Sequence, residues 1–337
     1  MKRIVVIGGG TGTFTVLSGL RGSGFDLSAI VSTADDGGST GVLRDELGVL
    51  PPGDVRQALT ALSADSAVMR NLLNYRFEEG GLRGHTFGNL LLSALERVTG
   101  SFDRAILEAG KILAIKGQVI PVTTDLVQLQ AQTDNGTRVE GQHAIDEHIW
   151  SEGQKITKLW LEPPCSIHPL AREAIKLADL VIIAPGSLFT SLIPNFLVEG
   201  MVDALQQTKA PVAYIANLMT ERGQAADFSV QDCVSLLEEY IGAGSIDYVI
   251  YNTTVPETSL LERYKKEMER SPVRLDKARL AQIYRLVGAP LLDRRVPKIS
   301  AADSLAKQRT LIRHNPEKLA EILYAITLHK DVKKYLH

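Results

Sequence analysis

The first sustained apolar run, Ile4-Val5-Val6-Ile7, is mostly β-branched and reads as a buried strand. Gly8-Gly9-Gly10-Thr11-Gly12-Thr13 follows, and a helical pattern is predicted from Phe14. Leu27-Ser28-Ala29-Ile30-Val31-Ser32-Thr33 is a second predicted strand, ending in the polar stretch Ala34-Asp35-Asp36-Gly37-Gly38-Ser39-Thr40-Gly41. Strand, helix and strand form a βαβ unit, which favours parallel pairing. Pro51-Pro52-Gly53-Asp54 opens a helix over 55–62 with Asp54 as its expected N-cap, and helices dominate to about Lys116. Between Gln118 and Glu162 apolar and polar residues alternate around the turn signal Asp134-Asn135-Gly136. That pattern predicts an antiparallel insertion that covers an edge of the main sheet or makes a subunit contact, which leaves a homodimer open. Buried strands return at 180–184, 212–216 and 248–251, each ending in a polar loop. A terminal helix starts after Asn315-Pro316, with Asn315 as cap.

The expected fold is therefore α/β: a doubly wound, mostly parallel Rossmann-like sheet with an antiparallel insertion around residues 118–162. One domain is expected to span 1–337. With 45% apolar and 23% charged residues the chain has the composition of a globular protein and not of a disordered one. A net charge of −2 gives no basic face for nucleic acid. Cys165 and Cys233 form no pairing or zinc motif, which suggests a reducing compartment. The apolar run before the glycines is too short for a signal peptide, and no stretch approaches membrane-spanning length. The expectation is a cytoplasmic protein without membrane insertion.

The polar loops carry the candidate chemistry. In an open parallel sheet the strand C-terminal ends form the ligand edge. Gly9, Gly10, Thr11 and Gly12 put backbone N–H groups at a helix N-terminus, where glycine lets an anion approach. Gly8-x-Gly10 begins the dinucleotide pattern, but Thr13 replaces its third glycine, and no Lys-Ser or Lys-Thr pair marks an ATPase P-loop. The alternative is a tight turn that binds nothing. Asp35 and Asp36 suit ribose hydroxyls or Mg²⁺, and are the only catalytic candidates; turn formation and capping are the plain alternative. Asp54 and Arg56 read equally as cap and surface charge or as site residues. Arg83, His85 and Asn89 share a glycine-flanked segment suited to phosphate or sugar, with a structural histidine and an asparagine satisfied within the fold as the equal alternative. Gly186 and Ser187 offer an amide and a hydroxyl to phosphate, without the Gly-x-Ser-x-Gly elbow of a hydrolase nucleophile. Asn217 and Asn252 can read a base edge or ribose, or simply make turns. Tyr264 offers an aromatic face and Arg313 a guanidinium.

Five segments in this order resemble the YvcK-type gluconeogenesis factor family, relatives of the CofD 2-phospho-L-lactate transferases. They are Gly8-Gly9-Gly10-Thr11-Gly12, Ala34-Asp35-Asp36-Gly37-Gly38-Ser39, Pro51-Pro52-Gly53-Asp54-Val55-Arg56, Arg83-Gly84-His85-Thr86-Phe87-Gly88-Asn89-Leu90 and Pro185-Gly186-Ser187-Leu188-Phe189-Thr190-Ser191. The resemblance covers nearly the whole chain. It implies a doubly wound fold, a cytoplasmic bacterial protein, binding of a UDP-sugar, notably UDP-N-acetylglucosamine, and a role linking carbon metabolism to cell-wall synthesis and cell shape. It also implies that Tyr264 and Arg313 contact the sugar nucleotide. The segment around Pro51-Pro52-Gly53-Asp54 differs in the transferase branch. The chain departs from the usual factor pattern at Thr220-Glu221-Arg222-Gly223-Gln224-Ala225 and has Asn315 where Asp is usual. Two functions therefore compete: a UDP-sugar-binding regulator without turnover, and a Mg²⁺-dependent transferase using a nucleotide-diphosphate donor. A nicotinamide oxidoreductase is a weaker third, for want of the third glycine.

Overall fold

The computed structural model describes residues 1–64, 67–148, 154–221, 225–268, 270–295 and 311–328. Strand β1 (Arg3–Gly8) is flanked by β2 (Asp26–Val31) and, on its other side, by a strand more than 170 residues later, β7 (Leu180–Ile183). The remaining strands of this sheet are β3 (Gln118–Pro121), β8 (Val212–Ile215), β9 (Tyr248–Asn252) and β10 (Arg285–Ala289). Their order is β10-β9-β8-β7-β1-β2-β3, and every pairing is parallel.

Both faces of this sheet are covered, which is why its strands read as continuous apolar runs. Val5 and Ile7 enter one core while Ile4 and Val6 enter the other, as strand alternation requires. The helices Gly10–Leu20, Gly53–Leu62 and Pro316–Thr327 supply Leu17, Leu59 and Leu323 to the second core. Helices Pro169–Lys176 and Val230–Ile241 supply Ile175 and Leu237 to the first.

The predicted insertion is shorter than its alternating pattern suggested. β3 belongs to the parallel sheet, with Ile30 opposite Ile120, because Val119 and Ile120 are buried in opposite cores. Among the described residues, β4 (Gln128–Thr133), β5 (Arg138–Glu140) and β6 (Ile156–Glu162) form the antiparallel sheet, in the order β5-β4-β6. Its Leu129, Ala131, Leu159 and Leu161 share a core with Ile120 and Val122, so it packs on a face of the main sheet.

Two further expectations change at the first crossover. The helix begins at Gly10 and not at Phe14, so the glycines themselves form its first turn. Thr13 and Thr15 hydroxyls donate to the carbonyls of Gly9 and Thr11 within it. Asp54 does not cap the helix Gly53–Leu62, whose N-cap is Pro52. Its carboxylate has another task, described below. Asn315 does cap the last helix, accepting the Lys318 amide at 2.9 Å.

Candidate functional site

The strand order reverses between β1 and β7, and a cavity of about 380 Å³ opens at their C-terminal ends. The approach of the two loops is very close. A Cβ on Gly12 would stand 1.7 Å from the carbonyl oxygen of Pro185, so only glycine lets the first helix seat against the β7 loop. Among the sequence candidates, Gly9, Gly10, Thr11, Gly12, Asp35, Asp54, Arg56, Asn89, Gly186, Ser187, Asn217 and Arg313 line this cavity.

The amides of these loops are held by the protein's own side chains. Gly10 N donates to Asp54 Oδ1 at 2.8 Å, and Gly37 N to Asp35 Oδ1 at 3.0 Å. Gly186 N donates to Asn217 Oδ1 at 2.9 Å, while Asn217 Nδ2 donates back to Gly186 O at 2.8 Å. Glu221 accepts from Leu188 N at 3.1 Å, from Asn217 Nδ2 at 3.1 Å and from Ser187 Oγ at 2.9 Å. Acceptors so placed keep the loops rigid and bring carboxylates to the place where an anion would sit.

Asp35 and Asp36 are adjacent in sequence but part company here. Asp35 lines the cavity, packed close to Gly53 and Thr40. Asp36 turns to the helix Gln142–Glu147, accepting the His143 amide at 2.8 Å, and is not among the lining residues. The pair therefore does not form a shared chelate for Mg²⁺. Among the described residues no group of three or more His, Cys, Asp or Glu is arranged to hold a metal ion.

Arg83, His85 and Asn89 also separate. Asn89 is buried and accepts from Arg56 Nε at 2.9 Å. Arg56 also donates to Asn74, and it is itself only 7% exposed; its aliphatic stem passes where a Gly88 side chain would be. Arg83 is exposed and His85 half-buried, and neither lines the cavity; the backbone around them pairs with Phe77. Asn252 is a turn residue, accepting from the amides of Thr254 and Leu291. Tyr264 is fully buried, with its hydroxyl accepting from Leu311 N and Ile312 N. It packs with Met219 and Ile312 behind the cavity wall, so its ring face is not presented to a base.

The structure adds residues that the sequence reading passed over: Arg76, Asp146, Arg270 and Glu221. Arg76 follows the helix Ala67–Asn74 and donates to Gly84 O at 2.5 Å. Glu221 sits in the loop after β8, at the predicted ligand edge, which was the available signal. Residues 222–224 of that segment lie outside the described residues. Asp146 comes from the insertion and carried no local signal. Burial pushes the Glu221 carboxyl up to about 7, with Asp146 adding to the rise and Ser187 opposing it. Asp146 is likewise raised, by burial and by the Asp35 charge against the Thr190 hydrogen bond, although the residue as a whole is exposed to the water of the cavity.

A family model described as 2-phospho-L-lactate transferase CofD matches residues 4–292. The chain belongs to the CofD family. A Listeria monocytogenes member named gluconeogenesis factor is 37% identical over 335 residues, covering 98% of this chain and 98% of that protein. A Thermotoga maritima protein provisionally named as a gluconeogenesis factor is 40% identical over 326 residues, covering 96% of this chain and 99% of its own. The crystal structure of a Bacillus halodurans protein aligns with a TM-score of 0.86 at 34% identity, covering 96% of this chain and 99% of that one. The Rossmann-like architecture is thus common to this CofD-family chain and its solved relative. Among the described residues no helix is long and apolar enough to cross a membrane.

Proposed function

We propose that the cavity binds a UDP-sugar, UDP-N-acetylglucosamine, without consuming it. In this reading the chain is a cytoplasmic gluconeogenesis factor that reports sugar-nucleotide supply to carbon metabolism, cell-wall synthesis and cell shape. The observation that carries the reading is the cavity at the β1/β7 reversal. It combines the first turn of a helix with Arg56, Arg76, Arg270 and Arg313 on its walls. A diphosphate suits paired guanidinium groups, whose planar donors match its oxygens. Carboxylates such as Asp35 suit ribose or sugar hydroxyls.

The transferase reading draws on the family model's description. Against it stands the divergence of Asp35 and Asp36, so these two adjacent carboxylates do not face a common metal site. Calorimetry with UDP-N-acetylglucosamine, with and without Mg²⁺, followed by mass spectrometry of the recovered ligand, separates the two. Binding with intact ligand is expected, and Arg313→Ala should weaken it about tenfold or more, the loss typical of a charged hydrogen bond. No binding of any UDP-sugar would sink the reading, and a broken diphosphate would replace it with catalysis.

A further inference from the structure

Three side chains at the cavity wall and the buried Thr190 behind them form one chain of oxygens. Ser187 Oγ lies 2.9 Å from Glu221 Oε2, Thr190 Oγ1 lies 2.7 Å from Ser187 Oγ, and Thr190 Oγ1 lies 2.9 Å from Asp146 Oδ1. All three separations are hydrogen-bond lengths for oxygen pairs. Each hydroxyl supplies one hydrogen, and an ionised carboxylate supplies none. Three links thus have two hydroxyl hydrogens between them. If both carboxyls were ionised, Ser187 would donate to Glu221 and Thr190 to Asp146. The 2.7 Å contact between the hydroxyls would then hold two facing lone pairs and no hydrogen.

We propose that the segment Glu221–Ser187–Thr190–Asp146 is a relay holding one shared proton at the cavity wall, and that the anionic ligand binds to the protonated relay. The second half rests on the sugar-nucleotide reading above. With the proton on Glu221 the hydrogens run Glu221 to Ser187 to Thr190 to Asp146. With it on Asp146 they run the other way, and turning two hydroxyls moves the proton from end to end. On Glu221 the proton belongs to Oε2, because Oε1 already accepts from Leu188 N and Asn217 Nδ2.

The surroundings agree with the count. Glu221 faces Arg270, which draws its titration down, while Tyr214 and Cys233 stand against it from β8 and the helix Val230–Ile241. Asp146 faces Asp35, which raises it, and His143 and Arg270, which lower it. Burial carries Glu221 up to about 7 against the pull of Arg270, so the relay loses its proton within the neutral range. Asp146, Ser187 and Glu221 line the same cavity as the Gly10–Gly12 turn. A diphosphate there meets one negative charge from the relay when it is protonated and two when it is not, and the second charge repels it.

The matching substitutions preserve the hydrogen count. In Glu221→Gln the new amide donates permanently to Ser187, and in Asp146→Asn it donates to Thr190, so each variant keeps the chain bonded with no titrating proton. Infrared difference spectra of the ligand-free protein between pH 5.5 and 8.5 should show a protonated carboxyl in the wild type that either single substitution removes. Absence of that signal, or its survival in both variants, would overturn the relay. Calorimetry with UDP-N-acetylglucosamine, whose diphosphate diester keeps its charge over this range, reads the coupling. Wild-type affinity should fall by up to tenfold per pH unit as the relay deprotonates, and Glu221→Gln should be flat. Equal slopes in the two proteins would overturn the coupling. If the sugar nucleotide binds at no pH, the functional reading fails by itself, and the infrared result alone decides the relay.

Discussion

The Tyr264 hydroxyl accepts two backbone N–H bonds, from Leu311 and Ile312, at a point with no solvent exposure. The next residue, Arg313, reaches the cavity. Tyr264 therefore acts on the site through the backbone that carries the arginine. Tyr264→Phe keeps the ring and removes the acceptor, leaving two buried donors without a partner. A loss of about 2 kcal/mol or more is expected in urea denaturation. Weaker binding of UDP-N-acetylglucosamine should accompany it, as the Ile312-Arg313 backbone loosens. A ring that stacked on a base would survive this substitution, so unchanged stability and affinity in Tyr264→Phe would return Tyr264 to a stacking role. The same residue illustrates a limit of sequence reading. An aromatic in a helix signals apolar surface, but whether its hydroxyl meets solvent, ligand or a distant amide depends on a partner 47 residues away.

The first helix and the β7 loop meet through Gly12, and two glycines in this turn make an internal comparison. Gly10 has φ +63° with nothing within 4 Å of an added Cβ, so alanine there meets only backbone strain, about 1–2 kcal/mol. Gly12 has ordinary φ but no room, since the Pro185 carbonyl is rigid backbone 1.7 Å from the new atom. Gly12→Ala should cost clearly more than Gly10→Ala in chemical denaturation, because helix and loop must separate. Equal losses would mean that the two loops yield readily. This close fit also explains what could be read in advance. β1, β7, β8 and β9 were legible because strands covered on both faces are uninterrupted apolar runs ending in Gly or Asn. β3 was not, because a four-residue strand has too little length to distinguish full burial from alternation. The glycines and acids of the loops were legible as ligand-edge positions, but their bonds were not. Asp54 reaches Gly10 and Asp146 reaches Thr190 across 44 positions each, and Glu221 reaches Ser187 across 34. No local spacing encodes pairings made only when the sheet closes.

Across the whole molecule, a buried histidine and a half-buried glutamate at the ligand edge make stability depend on pH in opposite senses. His314 is buried with Nε2 donating to the Ala216 carbonyl at 3.1 Å, and burial lowers it to about 4 from an ordinary 6.5. Between these values the unfolded chain binds the proton and the folded one does not. Its contribution is therefore complete above pH 6.5 and lost as pH falls through 4, amounting to about 3 kcal/mol. Glu221 is raised from 4.5 to about 7, so the folded state binds the extra proton. That contribution is complete below pH 4.5 and lost as pH rises through 7, and it is smaller than the shift alone implies because the carboxyl borders a wet cavity. Urea denaturation of His314→Gln, Glu221→Gln and the wild type across pH 4–8 reads both terms. The deficit of His314→Gln at pH 7 should shrink by about 3 kcal/mol on reaching pH 4, since the glutamine has no proton to refuse. Glu221→Gln should gain on the wild type as pH rises from 4.5 past 7. Curves that run parallel at all pH values would mean that neither group is held as its surroundings dictate. Convergence of the His314→Gln and wild-type curves toward pH 4 would show that acid acts on this fold through the Ala216–His314 contact, one residue from Arg313.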